Sequence, residues 1–147
     1  MKPKIEGLPQ LFPAKALSPE KIEGTPPELY EFRKDFGGRA WTEIPPEIYN
    51  SHSDAFCLME FESLVSYLGG FLHTSLTDQQ STACESLIYF AGTNDFLELV
   101  KHLNLSQKLF LIKTIDFLIL SDAYFGINDA VRYDKIRNQL KLMTNSA

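Results

Sequence analysis

The sequence predicts an all-α fold: a single-domain bundle of about six helices over residues 25–147, preceded by an extended Pro-rich N-terminal arm over residues 1–24. Three observations carry this. From residue 25 onward, apolar residues recur every three or four positions, the period of a helix that buries one face. Ser, Thr or Asn stands just before several of these runs, where a side-chain oxygen satisfies the first free N–H groups of a helix. All eight prolines lie at or before Pro46, so none interrupts a later helix. A chain of 147 residues fits one domain, and at that size ~68–70% of the unfolded surface is buried, enough for a core without staples.

The arm holds Pro3, Pro9, Pro13 and Pro19, shows no clean helical period, and has Leu8, Leu11 and Phe12 to pack on the core. TPPELYEFRKDFGG then opens with Thr25 as N-cap, Pro26 at the first helical position and Glu28 completing a capping box. Leu29, Phe32, Arg33 and Phe36 share one face, and Gly37 and Gly38 end the helix. IPPEIYNSH reads as a short helical piece from about Pro46. A helix from about Asp54 or Leu58 runs through Phe61, Leu64, Val65 and Leu68. TDQQSTACESLIYFAG has Thr77 as cap, Gln80 at the box position, a stripe of Ala83, Leu87 and Phe90, and Gly92 as stop. NDFLELVKHL turns Phe96, Leu97, Val100 and Leu103 inward. SQKLFLIKTIDFLILSDAYF, capped by Ser106, is apolar almost all round, which marks a central buried helix. NDAVRYDKIRNQLKLM starts at Asn128 as cap and buries Tyr133, Ile136, Leu140 and Met143.

SYLGGFLHTSL, residues 66–76, places Gly69 and Gly70 inside an apolar helix. Each glycine there costs about 1 kcal/mol relative to alanine. Geometry is the available reason: the pair is a structural hinge that bends or breaks the helix, or it admits close approach by the helix of residues 107–123.

Charge is unevenly distributed. Residues 1–39 carry a net +1 and residues 101–147 a net +3, whereas residues 40–100 hold nine acids and no lysine or arginine. Such a stretch sets up an asymmetric field that attracts a basic partner. The opening MKPKIEGLPQLFP lacks the apolar core of a signal peptide, and the apolar run at 109–120 is too short for a bilayer and contains Lys113 and Asp116. Cytoplasmic residence is therefore expected, with Cys57 and Cys84 as buried reduced thiols.

Recognisable chemistry is sparse. His52, His73 and His102 have no helical i, i+4 pairing, and the two cysteines lack zinc-ligand spacing, so no metal or cofactor is expected. Neither GxSxG, GxxxxGK[ST] nor GxGxxG occurs, and Gly69–Gly70 lacks the preceding strand of a phosphate loop. Glu60 and Glu62, two apart on a helix, point to different faces. Direct nucleic-acid contact is not expected, because the basic residues of RYDKIRNQLK are diluted by acids. A membrane-surface helix is not expected either, since the polar faces are poor in lysine.

Trp41, Ile44, Asp54, Ala55, Tyr67, Leu68, Phe71, Leu72, Ser75 and Leu76, followed by Gln107, Phe117 and Leu118, form a pattern over roughly residues 25–140. It resembles an uncharacterised family of small bacterial all-helical proteins with a YLPxFL-type helix. Gly69 stands where that family tends to carry proline, and the resemblance implies a fold rather than an activity. Glu62, Gly69, Gly70 and Phe71 are similar, over about 40 residues, to the domain of bacterial DNA-mimic proteins, without the asparagine those domains carry before GGF. That likeness implies carboxylates presented to a nucleic-acid-binding protein.

The functional expectation is a non-enzymatic protein-binding module, an immunity or antitoxin-like inhibitor whose acidic surface meets a basic partner such as a toxin or nuclease. Its candidate contacts are Glu43, Glu47, Asp54, Glu60, Glu62 and Asp78. One alternative is a DNA mimic, with carboxylates spaced like phosphates. The other is a small enzyme with a cleft near Gly69–Gly70, working through groups such as His73 or Glu62.

Overall fold

The computed structural model describes residues 2–121 and 127–145, apart from the side chains of 127–132 and 145. Nine α-helices are present among them: α1 (Leu8–Leu11), α2 (Glu28–Phe36), α3 (Pro46–Ser51), α4 (Ala55–Leu58), α5 (Phe61–Thr77), α6 (Thr82–Ala91), α7 (Asn94–Val100), α8 (Leu105–Ser121) and α9 (Ile127–Asn145). Short 3₁₀ turns lie at Ile5–Gly7, Pro19–Lys21 and Trp41–Glu43. The all-α expectation holds. The count exceeds six because the arm contains α1, and because α4 is separate from α5.

The bundle is built around α5. Eleven of its 17 residues are buried, so it is covered on several sides. Leu64, Tyr67, Leu68, Phe71 and Leu72 supply large side chains, while Ser63, Gly69, Gly70, Thr74 and Ser75 leave room for neighbours to approach. It packs against α1, α3, α6, α8 and the Trp41–Glu43 turn. The sequence assigned this central place to residues 107–123. In the structure α8 buries Leu111, Ile112, Thr114, Ile115, Leu118 and Ile119 but leaves Lys113 and Leu120 exposed. High hydrophobicity on every side does not distinguish a central helix from an outer one with apolar surface.

Helix starts differ from the sequence reading in a consistent way. Thr25 is not a side-chain cap: α2 begins at Glu28, after the cis Pro26–Pro27 bond, and the Thr25 carbonyl accepts from Leu29 N–H at 3.1 Å. Thr77 is the last residue of α5, and Ser81 caps α6 by accepting from Cys84 N–H at 3.1 Å. Ser106 lies inside α8, where Asn104 and Gln107 form the reciprocal box instead: Asn104 Oδ1 accepts from Gln107 N–H at 2.9 Å and Gln107 Oε1 from Asn104 N–H at 3.0 Å. The side chain of Asn128, the expected cap of α9, lies outside the described residues. Gly38, at φ 76°, and Gly92 do terminate their helices. Leu97 is exposed where it was expected inward, and Leu99 is fully buried in its place. Tyr133, Ile136 and Leu140 are buried as the stripe of α9 requires.

The arm is stitched into the core. Leu8, Phe12 and Ile22 are buried to 2% exposure or less. Gly24 and Met59 form an isolated antiparallel bridge, Thr25 N–H donates to Leu58 O at 2.7 Å, and Glu60 N–H donates to Glu23 O at 2.9 Å. These bonds satisfy the extended link between α4 and α5 and explain why the two helices do not merge.

Helix α5 runs through Gly69 and Gly70 without interruption, so the chain does not break there. The groups that come closest to these two glycines do not belong to α8. A Cβ on Gly69 would lie 2.6 Å from Cε2 of Trp41, and one on Gly70 would overlap the Tyr49 ring. Two aromatic side chains from the preceding segment are seated directly on the central helix.

Candidate functional site

The Trp41–Glu43 turn and α3 place these rings. Glu43 Oε1 accepts from Ala40 N–H at 2.8 Å and fixes the turn. Trp41 then points inward, its indole N–H donating to Phe12 O at 2.7 Å, and its own carbonyl accepts from the Tyr49 hydroxyl at 2.8 Å. Both side chains are almost wholly buried. Burial pushes the Tyr49 phenol well above its ordinary range, and nearby Tyr67 adds to this, so Tyr49 is a neutral hydrogen-bond donor rather than an acid. The rigid corner continues through Phe36, whose ring lies 4.8 Å from Tyr67 and 5.7 Å from Tyr49 between centroids.

A cleft of about 520 Å³ opens where this corner meets the arm and α5. Trp41, Tyr49, Gly70 and Thr74 line it on one side, with Ile5, Glu6, Glu43, Pro45 and His73 around them. The His73 ring lies 6.4 Å from that of Trp41. One of the two glycines thus lies beside a cleft, as the enzyme alternative required. His73 and Glu43 line the cleft, but Glu62 does not.

The nominated acids divide between places. All nine carboxylates of residues 40–100 are exposed. Glu60 and Glu62 border one depression of about 320 Å³, together with Asp95, Cys57, Phe61 and His102. The expectation that Glu60 and Glu62 diverge is corrected: Glu60 is the extended residue before α5, so helical spacing does not apply to the pair. Glu43 lines the cleft at Gly70 instead. Glu47 lies in the first turn of α3, Asp54 precedes α4, and Asp78 follows α5, where its Oδ1 accepts from Gln80 N–H at 3.0 Å. None of these three borders the Glu60–Glu62 depression. Among the described residues, Glu98 is the one acid of the nine with a cation partner, Lys101 at 3.1 Å.

The remaining titratable groups are accounted for. His52 bonds to Asp35, not Asp54, at 2.6 Å, with the rings of Phe32 and Phe36 each 5.4 Å away. His102 is exposed beside Phe61. Both cysteines are free, and Cys57 is exposed rather than buried. Cys84 is buried, and burial, with Asp78 and Glu85 adding, pushes its thiol up to about 12, so it offers no thiolate near neutral pH. No group of three or more His, Cys, Asp or Glu able to hold a metal ion occurs among the described residues. No helix among them is long and apolar enough to cross a membrane.

Asp95 and His102 at the acidic depression, and Glu6 at the cleft, were not among the sequence-nominated residues. Glu6 comes from the arm and shares the cleft lining with Glu43 through tertiary packing alone. The glycine pair signalled the cleft indirectly, since it marks where bulky rings from elsewhere must sit.

No protein-family model matches the chain, and no curated protein or solved structure matches it either.

Proposed function

We propose that this protein is a non-enzymatic binding module of the bacterial cytoplasm that engages a basic partner protein through acidic surface on residues 40–100. Its action would be that of an immunity or antitoxin-like inhibitor of a basic toxin such as a nuclease. The observation that supports this is the exposure of all nine carboxylates in a 61-residue stretch without lysine or arginine, with Glu98 the one among them paired to a cation among the described residues. Complementary charge of this kind accelerates encounter and selects partners more than it adds affinity. The depression bordered by Glu60, Glu62 and Asp95 is the natural centre of the contact, because it sets three carboxylates around the partly buried Phe61 ring.

The test is affinity capture from the native host with the parent chain and with a Glu60→Lys, Glu62→Lys, Asp95→Lys variant. A basic protein retained by the parent, released by salt and lost with the variant is expected. Equal capture by both chains, or salt-insensitive capture, would overturn the reading. A captured DNA-binding protein that DNA displaces would instead select the DNA-mimic alternative.

A further inference from the structure

We infer that the cleft beside Gly70 binds an organic cation with an apolar body: an alkylguanidinium or alkylammonium group. Its volume of about 520 Å³ falls within the range of small-ligand sites. Its inner wall is preformed, because the Trp41 indole is held by Phe12 O, the Tyr49 hydroxyl by Trp41 O, and both rings rest on glycines of α5. Binding therefore need not order that wall, which is one of the main costs of association.

Charge selects the class of ligand. Glu6 and Glu43 line the cleft, and no lysine or arginine does. Among the described residues, neither carboxylate has a cation partner, and Glu43 uses one oxygen to cap Ala40 N–H. Both carboxylates are exposed, and His73 is the one basic side chain in the lining, so an anion would meet a net negative wall, and a neutral apolar molecule would displace water from the carboxylates without replacing it. An alkyl cation lays its methylenes on the accessible apolar lining of Ile5, Pro9, Pro45 and Pro46, backed by the buried rings, and directs its head group to the carboxylates, where charge-assisted hydrogen bonds are stronger than neutral ones. The same chemistry is available from a free amine or guanidine and from a lysine or arginine side chain of another protein. The site stands apart from the acidic depression, since Glu60, Glu62 and Asp95 are not among its lining residues.

Trp41 is the single tryptophan and lines this cleft, so its fluorescence is the signal for binding there. The full chain is titrated with n-butylguanidinium, with n-butylurea as its neutral isostere, and with a short unstructured peptide containing one arginine. Saturable quenching or shift by the guanidinium is expected, with the urea about tenfold weaker or worse. Glu6→Gln with Glu43→Gln weakens the cation about five- to tenfold, the range for two exposed ionic contacts. Glutamine at 43 keeps an acceptor for Ala40 N–H, so an unchanged melting temperature checks that the fold survives. Should the double variant fail to fold, Glu6→Gln alone gives the same test. Tighter binding of the peptide than of the free guanidinium assigns the site to a partner's side chain, and the reverse assigns it to a small molecule. Urea binding as tight as guanidinium, affinity unchanged by the glutamine variants, or no saturable signal from any probe would overturn the inference. The Glu60, Glu62 and Asp95 variant leaves this titration unchanged, which separates it from the acidic-surface proposal.

Discussion

At the residue scale, Gly69 and Gly70 carry the most structural information per side chain. Glycine in a helix is destabilising by about 1 kcal/mol against alanine, so Gly70→Ala would stabilise an exposed helix. Here the added Cβ overlaps the ring of Tyr49, which is 1% exposed, bonded to Trp41 O and has little freedom to retreat. Overpacking of a well-filled core typically costs about 1–3 kcal/mol. The net expectation for Gly70→Ala is thus a destabilised protein, read as a lower denaturant midpoint. The penalty shrinks when Tyr49→Ala is already present, because the colliding ring is gone and the two changes are coupled. A Gly70→Ala chain as stable as the parent would show that the ring yields. The sequence announced that something unusual happens at these positions. It did not show that rings from 20 to 30 residues earlier fill the space, because an aromatic residue can face its own helix, a neighbour or solvent with the same local pattern.

At the element scale, the helices were legible and their starts were not. The period of Ala83, Leu87 and Phe90, or of Tyr133, Ile136 and Leu140, follows from burial of one face, and burial is what the bundle enforces. A cap depends instead on which of several nearby polar residues has extended backbone and a free first turn, and tertiary contacts settle that choice. Thr77 lost the role to Ser81 because α5 continues through Thr77. Ser106 lost it to Asn104, whose partner Gln107 also donates to Leu11 O at 3.0 Å and so ties α8 to the arm. The two candidates are separable by experiment. Asn104→Ala should cost about 1 kcal/mol, the usual loss for an N-cap. Ser106→Ala, at an exposed position within the helix, should stay within about 0.5 kcal/mol of the parent. Urea denaturation of both variants checks this, and an equal loss for the two would contradict the assignment of the cap.

At the scale of the whole molecule, the arm decides how much of the chain is one cooperative unit. The sequence set residues 1–24 apart because their prolines deny them a helical period; Leu8, Leu11 and Phe12 marked where the arm could pack, but no local pattern showed that it walls a cleft or accepts from Trp41. In the structure the arm supplies one wall of the cleft through Ile5 and Glu6, and two wholly apolar anchors, Leu8 and Phe12. It also supplies the acceptor for the Trp41 indole. Removing residues 1–13 would therefore act on three terms at once. Exposing the pocket of each anchor forfeits about 1.5–3 kcal/mol of apolar burial. The Trp41 N–H loses its partner, a penalty of about 1–3 kcal/mol if it stays buried. Natural domains have only about 5–15 kcal/mol in total, so these losses together consume a large part of the stability. The truncated chain should melt far below the parent and without a sharp transition, and Trp41 emission should shift toward that of water-exposed indole. A dispensable arm would instead leave the melting temperature and the Trp41 spectrum where they were, and the cleft would then keep its inner wall without the arm.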